Sequence, residues 1–377
     1  MTLSMKKKVL FLMETLGGGG AEKVLVNIVN SLDDIKYDIT LLLLKREGMY
    51  LSKIPPHVKI KYLLDAEPTG LVRRGMVYSL KKRWFNAVLS KSWLANMLFS
   101  EEYDVGVSFL EGDSSLLLSH LDGAKKKIAW VHIDLEKHQT LPREVEKEVY
   151  QSMDKIICVS EGSKHSVLSL YPALNDITSV IYNPIDIKKI IDGGKQKIRV
   201  GSGLNVLAVG RLLNDQKAFD VLLDAHRINI SAGLNYHLTI LGEGTDRSTL
   251  EAYITEHQLG NNTSLLGFKD NPYPYIAGCD IFVISSHYEG YPVVLVEAMT
   301  LGKPIVSTEC TGPKEALSNG EFGHLVPIAN SQALADGLKM LLENDAIRER
   351  YAELSKQRSE FFSFERSMRD IETLLNT

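Results

Sequence analysis

The strongest constraint on the fold of this chain is an alternation that runs through it twice. Short runs rich in Val, Ile and Leu are separated by amphipathic stretches of helical length. Strands that are apolar on both faces need cover on both faces. Helices in the connections supply it, so the pattern predicts a parallel sheet wound with helices. Strands are expected at Lys8–Met13, Tyr37–Leu44, Val58–Leu63, Asp104–Phe109, Lys127–Val131, Lys155–Val159 and Ser179–Tyr182, with helices near 21–32, 78–99, 113–120, 142–151 and 162–170. Pro, Gly and Lys then interrupt the rhythm, and residues 184–203 read as a linker. The alternation restarts with strands at 204–210, 236–241, 263–266, 280–284, 304–307 and 323–326. The matching helices are 217–229, 246–257, 292–301, 313–318, 331–343 and a broken 345–376. A chain of 377 residues is too long for one ordinary core. The expected fold is therefore α/β, with two tandem Rossmann-like, doubly wound domains over 1–185 and 186–377. Such a pair offers a ligand cleft where the carboxyl ends of its two sheets face each other.

Charge and cysteine usage narrow the classes. The net charge of −4 argues against a general nucleic-acid binder. It is unevenly spread: residues 1–190 carry 26 Lys/Arg and 23 Asp/Glu, a net of +3, which leaves −7 for the remainder. An anionic partner is expected at the N-terminal half. Cys158, Cys279 and Cys310 lie far apart with no metal-binding spacing, so no metal site is expected; Cys158 and Cys279 sit in or beside apolar runs, where buried thiols are the default. The run Val9–Met13 is too short for a signal peptide, is followed by Glu14, and reads as the first strand. No run approaches the roughly 20 apolar residues of a membrane span.

The chemistry concentrates in "SSHYEGYPVVLVEAMTLGKPIVST", Ser285–Thr308. Two carboxylates, Glu289 and Glu297, flank a Gly-Tyr-Pro turn. Pro292 suits the first position of a helix, where its missing N–H costs nothing. Gly290 lets a ligand approach the backbone. The exposed N–H groups of that first turn make an anion site, with donors at Gly290, Tyr291 and Val293 and Pro292 setting position only. A ligand with both phosphates and vicinal hydroxyls would satisfy the helix terminus and both acids. Upstream, Arg211 and Lys217 follow a strand end at Gly210, where two cations form a clamp for a diphosphate. A lysine at a helix start is also commonly just solvated.

"VGRLLNDQKAFDVLLDA" and the Ser285–Thr308 stretch together resemble the family 4 glycosyltransferases of GT-B fold. The shared elements are Gly210-Arg211-Leu212…Lys217 and Glu289…Glu297. Leu241-Gly242-Glu-Gly244 resembles the family's glycine pair, and Leu266-Gly-Phe268 the loop that meets the nucleotide base. Gly17–Gly20, with Gly18 and Gly19 at its centre, resembles the acceptor-side glycine loop; His132 in "WVHID" resembles the histidine beside the donor sugar; Asn183-Pro-Ile-Asp186 resembles the linker entry. Ala218 and Pro184 stand where the family usually has Gly. The resemblance implies that Arg211 and Lys217 hold the leaving diphosphate, that Glu297 binds ribose, that Glu289 and the adjoining backbone orient the sugar, and that His132 contacts it. It implies a retaining transfer of a hexose from a nucleotide-sugar, most often a UDP-sugar, with no metal or other cofactor. The acceptor would be a glycan, lipid-linked as on undecaprenyl diphosphate, in a bacterial surface polysaccharide pathway. It also implies that the last helix packs back on the N-terminal domain, and it suits a cytoplasmic enzyme.

Other readings stay open at this point. A sugar-nucleotide epimerase has the same two-domain shape. A two-lobed sugar-binding protein would not need the Arg–Lys pair. A dehydrogenase is disfavoured, because the acidic partner of the glycine loop would fall in the apolar Leu41–Leu44. Residues 68–100 carry Arg73, Arg74, Lys81, Lys82, Arg83 and Lys91 with no acid, interleaved with Trp84, Phe85, Trp93 and Leu98. Within it, 72–98 reads either as a helix lying on an anionic membrane or as a solvated basic face with its aromatics in the core. In "FLEGDSS", Glu111 and Asp113 either hold an acceptor hydroxyl, or Asp113 or Ser114 caps a helix.

Overall fold

The computed structural model describes residues 6–64 and 82–377. The chain divides into two compact units, Met1–Tyr182 with Arg366–Thr377, and Asn183–Glu365.

The first unit is built on a seven-stranded sheet of β1 (Lys7–Met13), β2 (Tyr37–Lys45), β3 (Lys59–Leu64), β4 (Val105–Ser108), β5 (Lys127–Val131), β6 (Lys155–Cys158) and β7 (Thr178–Val180). Its order is β3-β2-β1-β4-β5-β6-β7, and every pairing is parallel. The second unit holds β8 (Leu204–Val209), β9 (Tyr236–Leu241), β10 (Thr263–Leu265), β11 (Ile281–Ile284), β12 (Ile305–Thr308) and β13 (His324–Val326), in the order β10-β9-β8-β11-β12-β13. These pairings are parallel too.

Central strands are buried on both faces: Val9–Met13 and Tyr236–Leu241 are out of solvent throughout. Leu117 and Leu118 of helix Asp113–His120 cover one face of the first sheet; Leu334, Leu338 and Leu341 of helix Ser331–Glu343 cover one face of the second. Each such side chain contributes about 2 kcal/mol by leaving water.

In each sheet the strand order reverses once, between β1 and β4 and between β8 and β11. In open α/β sheets the crevice outside the carboxyl ends at such a reversal is where ligands bind. Gly17–Gly20 follows β1 and Glu111 follows β4; Arg211 follows β8 and Glu289 follows β11. The residues singled out above therefore sit at the two switch points.

Three expectations need correction. The second unit ends at Glu365 and not at 377: the stretch 345–376 is broken, as expected, into Asp345–Ser359 and Phe364–Asn376, and residues 366–377 pack back into the first unit, also as expected. This last helix buries Met368, Ile371, Leu374 and Leu375. It is tied by Lys126 Nζ to Leu374 O at 2.9 Å and by Asn376 Nδ2 to Tyr37 Oη at 2.9 Å. The expected linker 184–203 contains a helix, Ile187–Gly193, N-capped by Asp186, whose carboxylate accepts from Lys189 N. Ile190 anchors it and is buried. The helix expected over 78–99 is divided at Lys91, between 82–90 and Ser92–Leu98; its residues before 82 lie outside the described residues, as do Arg73, Arg74 and Lys81.

Candidate active site

Three loops at the carboxyl ends of β8, β9 and β10 are laced by backbone bonds. Gly210 N donates to Leu241 O at 3.0 Å, Leu212 N to Glu243 O at 2.9 Å, and Gly242 N to Gly267 O at 3.0 Å. Gly242 has φ +148°, and a Cβ there would lie 1.8 Å from Gly210 O. Only glycine allows that approach. Phe268, beside Gly267, is half-buried.

Arg211 is exposed at this edge, and its charge opposes the rise that burial gives the Tyr288 phenol. Lys217 ends a short helix, Asn214–Lys217, and its stem lies against Gly210, where a Cβ would be 3.1 Å from Lys217 Cε. Ala218 follows in the left-handed region (φ 49°, ψ 46°) and starts the next helix, Phe219–Ser231. This is where glycine is the family's usual residue, and the alanine holds a conformation that costs roughly 1–2 kcal/mol for an L-residue.

Lys217 Nζ pairs with Glu289 Oε1, with side chains only 16% and 9% exposed. Ser286 Oγ donates to the same oxygen at 2.8 Å. Ser285 Oγ donates to Lys217 O at 2.7 Å and His287 N to Gln216 O at 2.8 Å, so the loop after β11 is stitched to the helix that carries Lys217. Thr308 Oγ1 donates to Ser286 O at 2.7 Å, and Gly312 N to Glu289 O at 2.9 Å. A cation and an acid 72 positions apart are thus held as one buried pair.

The helix after this loop is Val293–Thr300, with Pro292 as its N-cap rather than its first residue. No side chain caps it, although Leu295 N donates to Pro292 O at 3.0 Å; an uncapped helix start is where anions bind. Glu297 is buried on this helix and accepts from Tyr273 Oη at 3.1 Å. Tyr291 packs its ring against Phe362 (centroids 5.7 Å apart) and is buried, so its phenol does not face solvent. The second switch point therefore gathers Arg211, Lys217, Glu289, the turn Gly290–Val293 and Glu297, with Gly242 and Phe268 on the adjoining loops.

The first unit carries the rest. Gly18 has φ +104°, and Gly19 is the N-cap of helix Gly20–Ser31. The Glu22 carboxylate lies against Gly19, where a Cβ would meet its Oε2 at 2.2 Å. A buried negative charge already occupies the positive end of that helix, which works against a phosphate there. His132 follows β5 and packs on Phe109, ring centroids 4.9 Å apart. Burial lowers its pKa to about 3, so the imidazole is neutral near pH 7, and its Nε2 is buried without a partner. Gly112, not Asp113 or Ser114, stands at the N-cap of helix Asp113–His120 and gives no side-chain cap. The three cysteines are buried, and none forms a disulfide among the described residues. Among the described residues, no helix is long and apolar enough to cross a membrane.

Two doubly wound parallel-sheet units in one chain, with cations and carboxylates gathered at the switch point of the second, are an architecture of the GT-B type. The model "Glycosyltransferase Family 4" matches residues 18–189, and "Glycosyl transferases group 1" matches 195–358. The chain belongs to the family 4 glycosyltransferases and is a transferase enzyme.

It is 27% identical over 366 residues to the N-acetylgalactosamine-N,N'-diacetylbacillosaminyl-diphospho-undecaprenol 4-alpha-N-acetylgalactosaminyltransferase of Campylobacter jejuni, covering 94% of this chain and 96% of that protein. It is 23% identical over 336 residues to the lipopolysaccharide core biosynthesis glycosyltransferase LpsE of Rhizobium meliloti, 89% of each. The structure of Anabaena Alr3699/HepE in complex with UDP and glucose matches with a TM-score of 0.77 at 20% identity, over 98% of this chain and 100% of that one.

Proposed function

We propose that this enzyme moves a hexose from a UDP-sugar to a lipid-linked glycan, with retention of configuration, in the synthesis of a bacterial surface polysaccharide. The observation that carries the reading is the arrangement at the second switch point: Arg211 and Lys217 at one strand end, Glu289 and Glu297 around an uncapped helix start at the next. That set is matched to a nucleoside diphosphate-sugar. Arg211 and Lys217 face the diphosphate and neutralise the charge that grows on it as the anomeric carbon–oxygen bond breaks. Glu297 accepts ribose hydroxyls. Glu289 and the backbone of Gly290–Val293 orient the sugar, Phe268 borders the base, and His132 meets the sugar as a neutral imidazole. The acceptor oxygen attacks from the face that the diphosphate leaves, and its proton passes to the departing phosphate oxygen. These protein charges supply the electrostatics without a metal or other cofactor.

The relative from Campylobacter jejuni carries a diphospho-undecaprenol acceptor in its name, which supports a lipid-linked acceptor here. Trp84, Trp93 and Met97 are 41%, 62% and 62% exposed, beside exposed Lys82, Arg83 and Lys91. Phe85 alone of the three aromatics points inward. Exposed apolar rings among cations suit the inner face of an anionic membrane, with the enzyme cytoplasmic. Flotation with anionic vesicles should carry the wild type and lose Trp84→Ala/Trp93→Ala; equal recovery in the soluble fraction from anionic and neutral vesicles would reject membrane docking.

Calorimetric titration with UDP, against GDP and NAD, tests the donor. UDP should bind, and Arg211→Ala/Lys217→Ala should weaken it about tenfold or more, roughly 1.4 kcal/mol. Binding of NAD in place of UDP would overturn the reading.

A further inference from the structure

Glu111 is a buried carboxylate that the catalytic reading leaves unused. It lies at the end of β4, beside the switch point of the first sheet. Its Oε1 accepts from His132 N, and from Ile133 N at 3.1 Å. These are successive N–H groups of the turn after β5, some 21 residues away. A carboxylate that gathers two adjacent backbone donors fixes the peptide planes between them. Phe109, two residues before Glu111, supplies the ring on which the His132 imidazole packs. One β4 loop therefore holds His132 from both sides, by its backbone and by its ring, and leaves Nε2 without a partner.

We propose that Glu111 is the positioning residue for His132: by taking the two N–H groups together, it sets the direction of the imidazole, whose Nε2 is buried and without a partner. What His132 does rests on the proposed transfer; how it is held does not. Ordinary packing of a strand end would require no charged acceptor in an apolar surround. Burial raises the Glu111 carboxyl to about 7, against the backbone donors that favour its charged form. The groups that face it are His132 of the β5 turn, Glu146 and Tyr150 of helix Arg143–Gln151, and Cys158 of β6. Glu146 is engaged with Arg143 Nη1 at 2.6 Å and Tyr171 Oη at 2.7 Å. No cation accompanies Glu111 among these groups, so its hold on the turn weakens as it protonates near neutral pH.

The test compares Glu111→Gln and Glu111→Ala in the full chain by histidine-selective NMR, with His132→Gln assigning the His132 ring signal, alongside turnover of UDP-sugar. Glu111→Ala should shift the His132 signal and lower kcat about tenfold or more with donor KM little changed, the mark of a displaced group rather than lost binding. Glu111→Gln keeps an acceptor oxygen and should retain most of the wild-type signal and kcat, but without the wild type's pH response around 7. An unchanged His132 signal in Glu111→Ala would overturn the proposal, as would equal losses in both variants. If Glu111→Ala does not fold, the pH courses of wild type and Glu111→Gln decide: identical courses reject it. If wild-type protein turns over no UDP-sugar, the transfer reading fails alone, and the His132 signals still judge Glu111.

Discussion

The two sheets end in different kinds of chemistry. At the second switch point acids and cations are paired: Lys217 with Glu289, and Ser286 on the same oxygen, with Arg211 exposed beside them. At the first, the groups are buried and neutral or near neutral: His132 with its pKa about 3, and Glu111 about 7. On the proposed reading one end meets phosphate charge, which needs cations at hand. The other end offers a buried, neutral imidazole and a carboxyl that burial holds near its midpoint at pH 7. The contrast teaches that a repeated sheet architecture leaves the chemistry to the loops, and that burial there decides the charge state.

The sharpest way to break the contrast is at the cations. Arg211 is exposed, so Arg211→Ala should lower donor turnover about 10²–10³-fold, the usual cost of one transition-state donor, with an unchanged urea midpoint. Lys217→Ala should lower turnover comparably and also destabilise the protein by about 3 kcal/mol, because Glu289 is left buried without its cation. Parallel rate and urea-unfolding measurements on the two variants check both statements. Equal midpoints would mean that the pair is catalytic only.

The next effect is on pH. His226 in the second unit is fully buried against Tyr236, ring centroids 4.8 Å apart, and burial, aided by His237, lowers its pKa to about 4. Its folded pKa lies below the free value near 6.5, so the unfolded chain takes up a proton first. Stability is therefore lost as pH falls from about 6.5 to about 4, by up to about 3 kcal/mol. In the first unit Glu111 and His132 oppose each other. Glu111, raised to about 7, costs stability as pH rises from about 4.5, while His132, lowered to about 3, costs it as pH falls from about 6.5. Urea unfolding at pH 7 and pH 4.5 should show a smaller pH penalty in His226→Phe than in wild type. Equal penalties would remove His226 from the account.

Much of the frame was legible because the strands are buried on both faces. The bounds expected for β5 and β9 are those found, and the other strand bounds fall within two residues. The Gly-Arg-Leu…Lys and Glu…Glu elements were readable because each lies within one loop and the helix after it. What stayed hidden is non-local or short. The Lys217–Glu289 pair spans 72 positions and the Glu111 bonds 21 or 22, and no local pattern announces either. Helix Ile187–Gly193 was masked by its lysines and glycines, and Tyr273–Gly278 by its length of six residues. Whether Trp84 and Trp93 point outward depended on which face of 82–98 Phe85, Val88 and Leu94 bury, and composition does not specify that.

The smallest expected effect sharpens the same second site. Ala218→Gly removes a left-handed alanine beside Lys217 but loosens the unfolded chain, so the net gain should be about 1 kcal/mol or less in urea unfolding. A loss of stability would show that the alanine methyl packs usefully.

The return of residues 366–377 to the first unit has a consequence for how the protein is made. The polypeptide leaves that unit at Tyr182 and re-enters it only at Arg366. On the ribosome, therefore, the earlier-made sheet waits for the whole second unit before Leu374 and Leu375 can close over it. A stop codon that removes only the final helix should injure the part of the enzyme synthesised first. Proteolysis of such a truncated chain is expected to begin in residues before 183 and to spare the second unit.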